Sequence, residues 1–313
     1  MSYRIGSFNM YKFSLQSDEE IRKSMDTICQ IINDNFDIVA VQEIFTPAAL
    51  KYRLLRNLGS QWDGRWGQPL TGSPQAAEGY AFIWNKRIFQ LAKDKDRYGN
   101  DIVVEPDIVE NYHTIPGYTR LLRAPFYGRF IPKRGPFFEL RLINTHVRFS
   151  ASSSDDESEE TSASMIQLRR NEVETLIKQI CDKKGTEHTG NNRSTYTFLL
   201  GDYNLNLKKG MNPYPYVPEY YEIIDGSSTK YYRTVQEEKT TLRRQKNEVN
   251  ILQDKYANNY DHFTYDESRL VGALGINLRA YRIDTLEIYA EGDVAKHRFE
   301  ISDHVPIRLD MSL

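Results

Sequence analysis

The sequence predicts a mixed α/β (α+β) fold in which sheets pack on sheets and helices lie outside them. Three observations carry this. Runs of β-forming residues outnumber helical ones, two of them stand at hairpin spacing mid-chain, and no composition break divides the 313 residues. Residues 1–313 are therefore read as a single domain, long enough to bury a large core without disulfides or a structural metal.

The elements follow in order. Asp37-Ile38-Val39-Ala40-Val41 is a short apolar run suited to a buried strand. Before it, a helix is expected from about Asp18 to Asn33, opened by Ser17 or Asp18 as N-cap. Tyr80–Trp84, Phe137–Asn144 and Tyr196–Leu200 are further strands, rich in aromatic and β-branched residues. Met165–Cys181 reads as a second helix, with Ile166, Val173, Leu176, Ile177 and Ile180 near one face. The stretch 151–164 carries five acidic and no basic residues among serines, and is expected to be a solvated, mobile loop.

Composition excludes several classes. Apolar residues make up 40% and charged residues 27%, which rules out a disordered, collagen-like or long coiled-coil chain. No run approaches the ~20 apolar residues of a membrane span, so no membrane partner is expected. The net charge of −2 speaks against a polycation that grips nucleic acid by bulk charge. Cys29 and Cys181 do not suggest a disulfide framework, and no apolar leader follows Met1, so a cytoplasmic protein is expected. The near-balance hides a patch. Gly117–Arg148 holds seven basic residues (Arg120, Arg123, Arg129, Lys133, Arg134, Arg141, Arg148) against Glu139, interleaved with aromatics. This pattern suits a nucleic-acid surface. Around Phe137–Leu142 a core-facing alternation is the better reading, whereas over Arg120–Arg134 both readings stand.

Chemistry is concentrated where apolar runs end. Ser-Phe-Asn9, Gln-Glu43, Glu78-Gly-Tyr, Asn-Thr-His146, Gly-Asp202-Tyr-Asn204, Tyr-Asp261-His and Ser-Asp303-His304 each place polar groups at a strand end. Singly, each could be a cap or a turn former. If the ends converge, the set fits metal-assisted phosphodiester hydrolysis. Carboxylates hold a hard divalent cation, histidine–carboxylate pairs move protons, and amides meet charge on phosphate oxygens. No cysteine joins any cluster and no Cys/His spacing suits zinc.

This ordered set, running from Asn9 to His304, resembles the endonuclease/exonuclease/phosphatase superfamily, and most closely its deoxyribonuclease I-like branch. The resemblance implies a four-layer αββα sandwich with two central mixed β-sheets, and a Mg²⁺ cofactor, with Mn²⁺ or Ca²⁺ as alternatives. It also implies roles. Glu43 resembles the principal metal ligand, with Asn9 and Asp303 beside the metal. His304 oriented by Asp261, and His146 oriented by Glu78, resemble the two acid–base pairs, with the acid and the base left unassigned. Asp202 and Asn204 resemble the residues that meet the scissile phosphate or a second metal. Arg123 and Asn9 resemble phosphate contacts. Asp284 is a rival to Asp261, although a plain strand position suits it better.

The Thr-His histidine separates the chain from the abasic-site endonucleases, and the Trp-Cys-Asp-Arg signature of the inositol polyphosphate 5-phosphatases is missing. Where the branch carries duplex-gripping side chains, this sequence has Tyr11, Phe45 and Ala76. The expected function is a divalent-metal-dependent endonuclease acting on DNA, with RNA as an alternative. A sphingomyelinase-like phosphodiesterase ranks second, and a non-catalytic binding module last because no cleavage residue is lost. A monomer is expected, and an inhibitor or immunity partner is left open.

Overall fold

The computed structural model describes residues 1–15, 22–69, 78–110, 121, 123–135, 137–147, 163–188, 193–208, 216–243 and 255–313. The strands of its two large sheets are β1 (Ser2–Phe13), β2 (Ile38–Ile44), β3 (Trp62–Gly67), β4 (Gly79–Asn85), β5 (Phe89–Leu91), β6 (Phe126–Pro132), β7 (Phe138–His146), β8 (Ser194–Asp202), β9 (Tyr220–Asp225), β10 (Ser228–Val235), β11 (Asp261–Asp266), β12 (Asn277–Arg282) and β13 (Ile307–Ser312). One sheet has the order β12-β13-β1-β2-β4-β3 and the other β9-β10-β11-β8-β7-β6-β5, with Asp107–Ile108 added beside β6. Both are mixed: β1 and β2 run parallel in one, β7 and β8 in the other, and their neighbours are antiparallel.

Strand alternation divides the core into layers. Ile38 and Ala40 of β2, with Phe82 of β4 beside them, face the other sheet, where Phe130, Leu140, Phe198 and Phe263 meet them. Val39 and Val41 face outward onto α1 (Met25–Asn35), which supplies Ile28, Ile31 and Ile32. On the far side, Val173, Leu176, Ile177 and Ile180 pack on Ile143 and Leu199. The result is the four-layer α/β sandwich. The helix predicted over Met165–Cys181 runs as Ala163–Thr175 and widens to π turns over Leu176–Cys181.

Three local readings change. The first helix starts at Met25, not near Asp18, because Ser24 is its cap: its side chain accepts from Thr27 N–H, and its own N–H is held by the Glu300 carbonyl at 2.7 Å. Ser17 and Asp18 lie outside the described residues, as do 151–162 of the acidic stretch, whereas Ala163 and Ser164 begin a helix. Asp37 precedes β2 rather than opening it, and its carboxylate binds Arg4 at 2.8 Å.

Two residues of the basic segment, Arg129 and Arg141, are structural. Glu139, fully buried, accepts from Arg129 Nε at 2.8 Å and Arg141 Nε at 2.7 Å, and Arg129 also donates to Asp94. Phe126, Phe130 and Phe138 lie in the core, so the core-facing reading extends into the Arg120–Arg134 stretch. Lys133, Arg134 and Phe137 stay exposed, and Arg120 and Arg148 lie outside the described residues.

Candidate active site

The chemistry-bearing ends meet at one edge of both sheets. In the first sheet, β1 and β2 stay in register from Ile5↔Ile38 to Asn9↔Gln42, after which β1 breaks register before Phe13. β2 likewise slips against β4 between Val41 and Ile44. Tyr11, Lys12 and Glu43 take left-handed backbone conformations there, with φ of 41°, 51° and 61°. Bulges at sheet rims re-aim side chains, and each such non-glycine residue stores on the order of 1–3 kcal/mol. Local hydrogen bonds hold them: Lys12 N–H donates to Glu43 Oε2 at 2.9 Å and Tyr11 N–H to Asn9 Oδ1 at 3.0 Å.

In the second sheet, register sets His146 opposite Asp202 and Asp202 opposite Asp261 across three adjacent strands. Gly201 makes this approach feasible. Its φ is 145°, and a Cβ there would overlap the Thr145 carbonyl oxygen. Asn204, at φ 50°, folds back so that its N–H donates to Asp202 Oδ1 at 2.8 Å, and its Nδ2 donates to the Val147 carbonyl at 2.6 Å. His304 arrives on the turn before β13, where Ser302 Oγ donates to the Asn9 carbonyl at 2.7 Å and accepts from His304 N–H at 3.1 Å.

Asp202 is the centre. Its Oδ2 lies 3.6 Å from His146 Nε2 and 3.6 Å from His304 Nε2, and accepts from Asn9 Nδ2 at 3.2 Å. Each imidazole turns its other nitrogen to a carboxylate: His304 Nδ1 to Asp261 Oδ2 at 2.8 Å, His146 Nδ1 to Glu78 Oε2 at 3.0 Å. A carboxylate facing Nδ1 fixes the proton there and directs Nε2 into the cleft. Burial drives the Asp202 carboxyl up to about 6, against the pull of both histidines. Burial lowers both imidazoles, but at His304 the Asp261 and Asp202 carboxylates overcome it and raise the pKa well above the usual value. At His146, burial and Arg123 both oppose protonation, and Glu78 still leaves it raised.

Among the described residues, two groups each bring three ligand atoms within 4.8 Å of one another: Glu43, Glu78 and His146 in one, and Asp202, Asp261 and His304 in the other. These oxygen-rich sets fit a hard divalent cation. Asn9 Nδ2 donates to Glu43 Oε1 at 3.0 Å. Asp303 belongs to neither group: its Oδ2 accepts from Arg298 at 3.4 Å, and its buried Oδ1 has no hydrogen-bond partner among the described residues. Arg123 Nη1 sits 2.8 Å from Glu78 Oε2, the oxygen that also faces His146. Asp284 stands apart, capping Thr285–Ala290 and accepting from the Tyr256 hydroxyl at 2.5 Å. Tyr11 and Phe45 border the bulged ends, and Ala76 lies outside the described residues.

Sequence reasoning passed over three supporting residues. The Tyr80 hydroxyl accepts His146 N–H at 3.1 Å. Arg169 Nη1 donates to the Asn204 carbonyl at 2.9 Å. Buried His297 joins Thr285 Oγ1 and the Ser302 carbonyl at 2.8 and 2.6 Å, and so braces the Ser-Asp-His turn. Only Tyr80 carried a signal, through its place in Glu-Gly-Tyr.

The profile of the Endonuclease/Exonuclease/phosphatase family matches residues 6–215, a stretch that holds Asn9 to Asn204 and stops short of Asp261 and His304. No curated protein matches the sequence. In fold the chain is similar to ANGEL2, described as a 2′,3′-cyclic phosphatase, with 13% identity over 99% of this chain and 95% of that one and a TM-score of 0.54. It is also similar to a functionally unknown conserved protein from Enterococcus faecalis V583, with 12% identity over 99% of each chain and a TM-score of 0.51. At such identities the likeness is one of fold.

Proposed function

We propose, on the premise that the chain belongs to the endonuclease/exonuclease/phosphatase family, that it is a divalent-metal-dependent phosphodiester hydrolase acting on nucleic acid, DNA first. The observation that supports this best is the pair of imidazoles that face Asp202 Oδ2 at equal distances of 3.6 Å, each backed by its own carboxylate. Displacement at phosphorus brings water in on one side and expels an alcohol oxygen on the other. Two proton-handling groups directed into one small space suit that geometry.

One histidine takes the proton of the attacking water through Nε2, and the other gives its Nε2 proton to the leaving oxygen. Glu78 and Asp261 steady the resulting charges. Asn9 holds Glu43 and Asp202 in place, and the Asn204 turn fixes Asp202 Oδ1. Glu43 and Glu78 would hold the cation, and Glu78 is itself steadied by His146 Nδ1. When bound, the cation supplies charge neutralisation at the phosphate oxygens. Arg123, now on Glu78, is close enough to the site to meet a substrate phosphate as well.

The test is a substrate panel with Mg²⁺, Mn²⁺ and Ca²⁺: plasmid, single-stranded DNA, RNA, a nucleoside 2′,3′-cyclic phosphate and sphingomyelin. The cyclic phosphate is included because of the activity named for ANGEL2. Metal-dependent nicking of plasmid is the expected result. Turnover of the cyclic phosphate or sphingomyelin alone would overturn the substrate, and no turnover at all would overturn the activity.

A further inference from the structure

Behind the candidate metal ligands lies a buried polar network inside an otherwise apolar inter-sheet core. Gln42 Nε2 donates to Asn144 Oδ1 at 2.7 Å and to Ser7 Oγ at 3.1 Å. Asn144 Nδ2 donates to the Val41 carbonyl at 3.0 Å and the Ala81 carbonyl at 3.2 Å. Ser7, Gln42 and Asn144 are all fully buried. Donation to two carbonyls fixes the orientation of the Asn144 amide, so its oxygen faces Gln42, and Gln42 must present its NH₂. The Gln42 Oε1 is then left without a hydrogen-bond partner among the described residues.

Such a network is a poor way to stabilise a core. A buried acceptor without a partner keeps its desolvation cost, and apolar side chains of like shape would fill the space as well or better. Its placement offers another reason. Ser7, Gln42 and Asn144 stand two, one and two residues before Asn9, Glu43 and His146, and Ala81 stands three after Glu78. Asn144 belongs to one sheet, and Gln42, Ser7, Val41 and Ala81 to the other. The three side chains that come within 4.8 Å of one another, Glu43, Glu78 and His146, are split between sheets in the same way. Apolar packing between sheets tolerates sliding, whereas paired amides have one register.

We infer that Gln42 and Asn144 are positioning residues that lock the two sheets in the one relative register at which His146 of one sheet meets Glu78 of the other and so keeps Glu78 beside Glu43, where the two carboxylates would hold a divalent cation. The inference rests on the metal-dependent reading above and adds to it the device that sets the site's span. Groups behind metal ligands commonly contribute 10–100-fold, as an order of magnitude, in metal affinity.

The experiment uses the full chain and its double variant Gln42→Leu/Asn144→Leu. Mn²⁺ affinity is measured by calorimetry, alongside thermal melting and phosphodiester turnover. The double variant is expected to bind Mn²⁺ about 10–100-fold more weakly, with kcat falling, while melting reads separately the loss of hydrogen bonds to Ser7 and the Val41 and Ala81 carbonyls. If it melts too low to assay, Gln42→Met gives the same readout, and its Mn²⁺ affinity is expected to fall. Native-like Mn²⁺ affinity in the variant tested would overturn the inference, whatever happens to melting. Failure of the native chain itself to bind Mn²⁺ or to hydrolyse any phosphodiester would instead overturn the underlying activity.

Discussion

Asp202 illustrates how single side chains at this site trade stability for chemistry. Its carboxyl is buried among Asn9, His146 and His304, and its pKa is raised from 3.8 to about 6. A carboxyl raised in the fold contributes stability that is present below its unfolded value and lost as pH rises through about 6. At neutral pH its charge therefore costs the fold something. Asp202→Asn is expected to raise stability by on the order of 1–3 kcal/mol in urea at neutral pH without metal, and to reduce turnover by about 10²-fold or more. A variant both less stable and fully active would refute this account of the residue. A second residue-scale contrast concerns the two aspartates that compete on paper for His304. Asp261→Asn is expected to lower kcat about 10²–10⁴-fold, by analogy with losing the orienting carboxylate of a catalytic histidine. Asp284→Asn keeps an N-cap residue and is expected to leave kcat within about twofold, with under ~1 kcal/mol lost. Steady-state kinetics on both decides between them. The residues at the strand ends were legible because an apolar run has no structural use for a terminal His or Glu. The left-handed Glu43 backbone was not legible, because it arises from register slips of β1 and β2 that only the neighbouring strands define.

At the scale of elements, the parallel pair β7 and β8 shows how one glycine governs a site. Thr145 and Gly201 face each other in register, and the missing Cβ lets His146 and Asp202 sit side by side. Gly201→Ala is expected to cost on the order of 3 kcal/mol and to abolish turnover, as backbone overlap adds to conformational strain. Gly99, at φ 85° with no atom within 4 Å of a Cβ, is the control: Gly99→Ala should cost about 1 kcal/mol and leave turnover intact. Denaturation of both variants tests the pair, and equal losses would contradict it. The basic hairpin and first helix show why some elements misread. Counting charge along Gly117–Arg148 cannot see that Arg129 and Arg141 converge on Glu139, or that Asp94 closes the cluster from 35 residues away. Serine and aspartate at 17, 18 and 24 are all suitable N-caps by type. The Glu300 carbonyl, which binds Ser24 N–H, belongs to a segment no local pattern connects to it.

For the molecule as a whole, two mixed sheets face each other, and the ends of their parallel strands open on one edge. Asn9, Glu43 and Glu78 come from one sheet, His146, Asp202 and Asp261 from the other, and His304 from the turn that leads back into the first. The layer arrangement was legible from the alternation of strand and helix patterns together with the family resemblance. The register between the sheets was not, since it depends on the inter-sheet fit and the amides of Gln42 and Asn144. His146 and His304, each with Nε2 3.6 Å from Asp202 Oδ2, are both expected to be required for phosphodiester hydrolysis. The most direct test is the rate of Mg²⁺-dependent plasmid nicking by the native chain, His146→Ala and His304→Ala, with folding checked by circular dichroism. Each substitution is predicted to reduce the rate about 10²–10⁴-fold while the protein stays folded; a folded variant that nicks plasmid at the native rate would contradict the account.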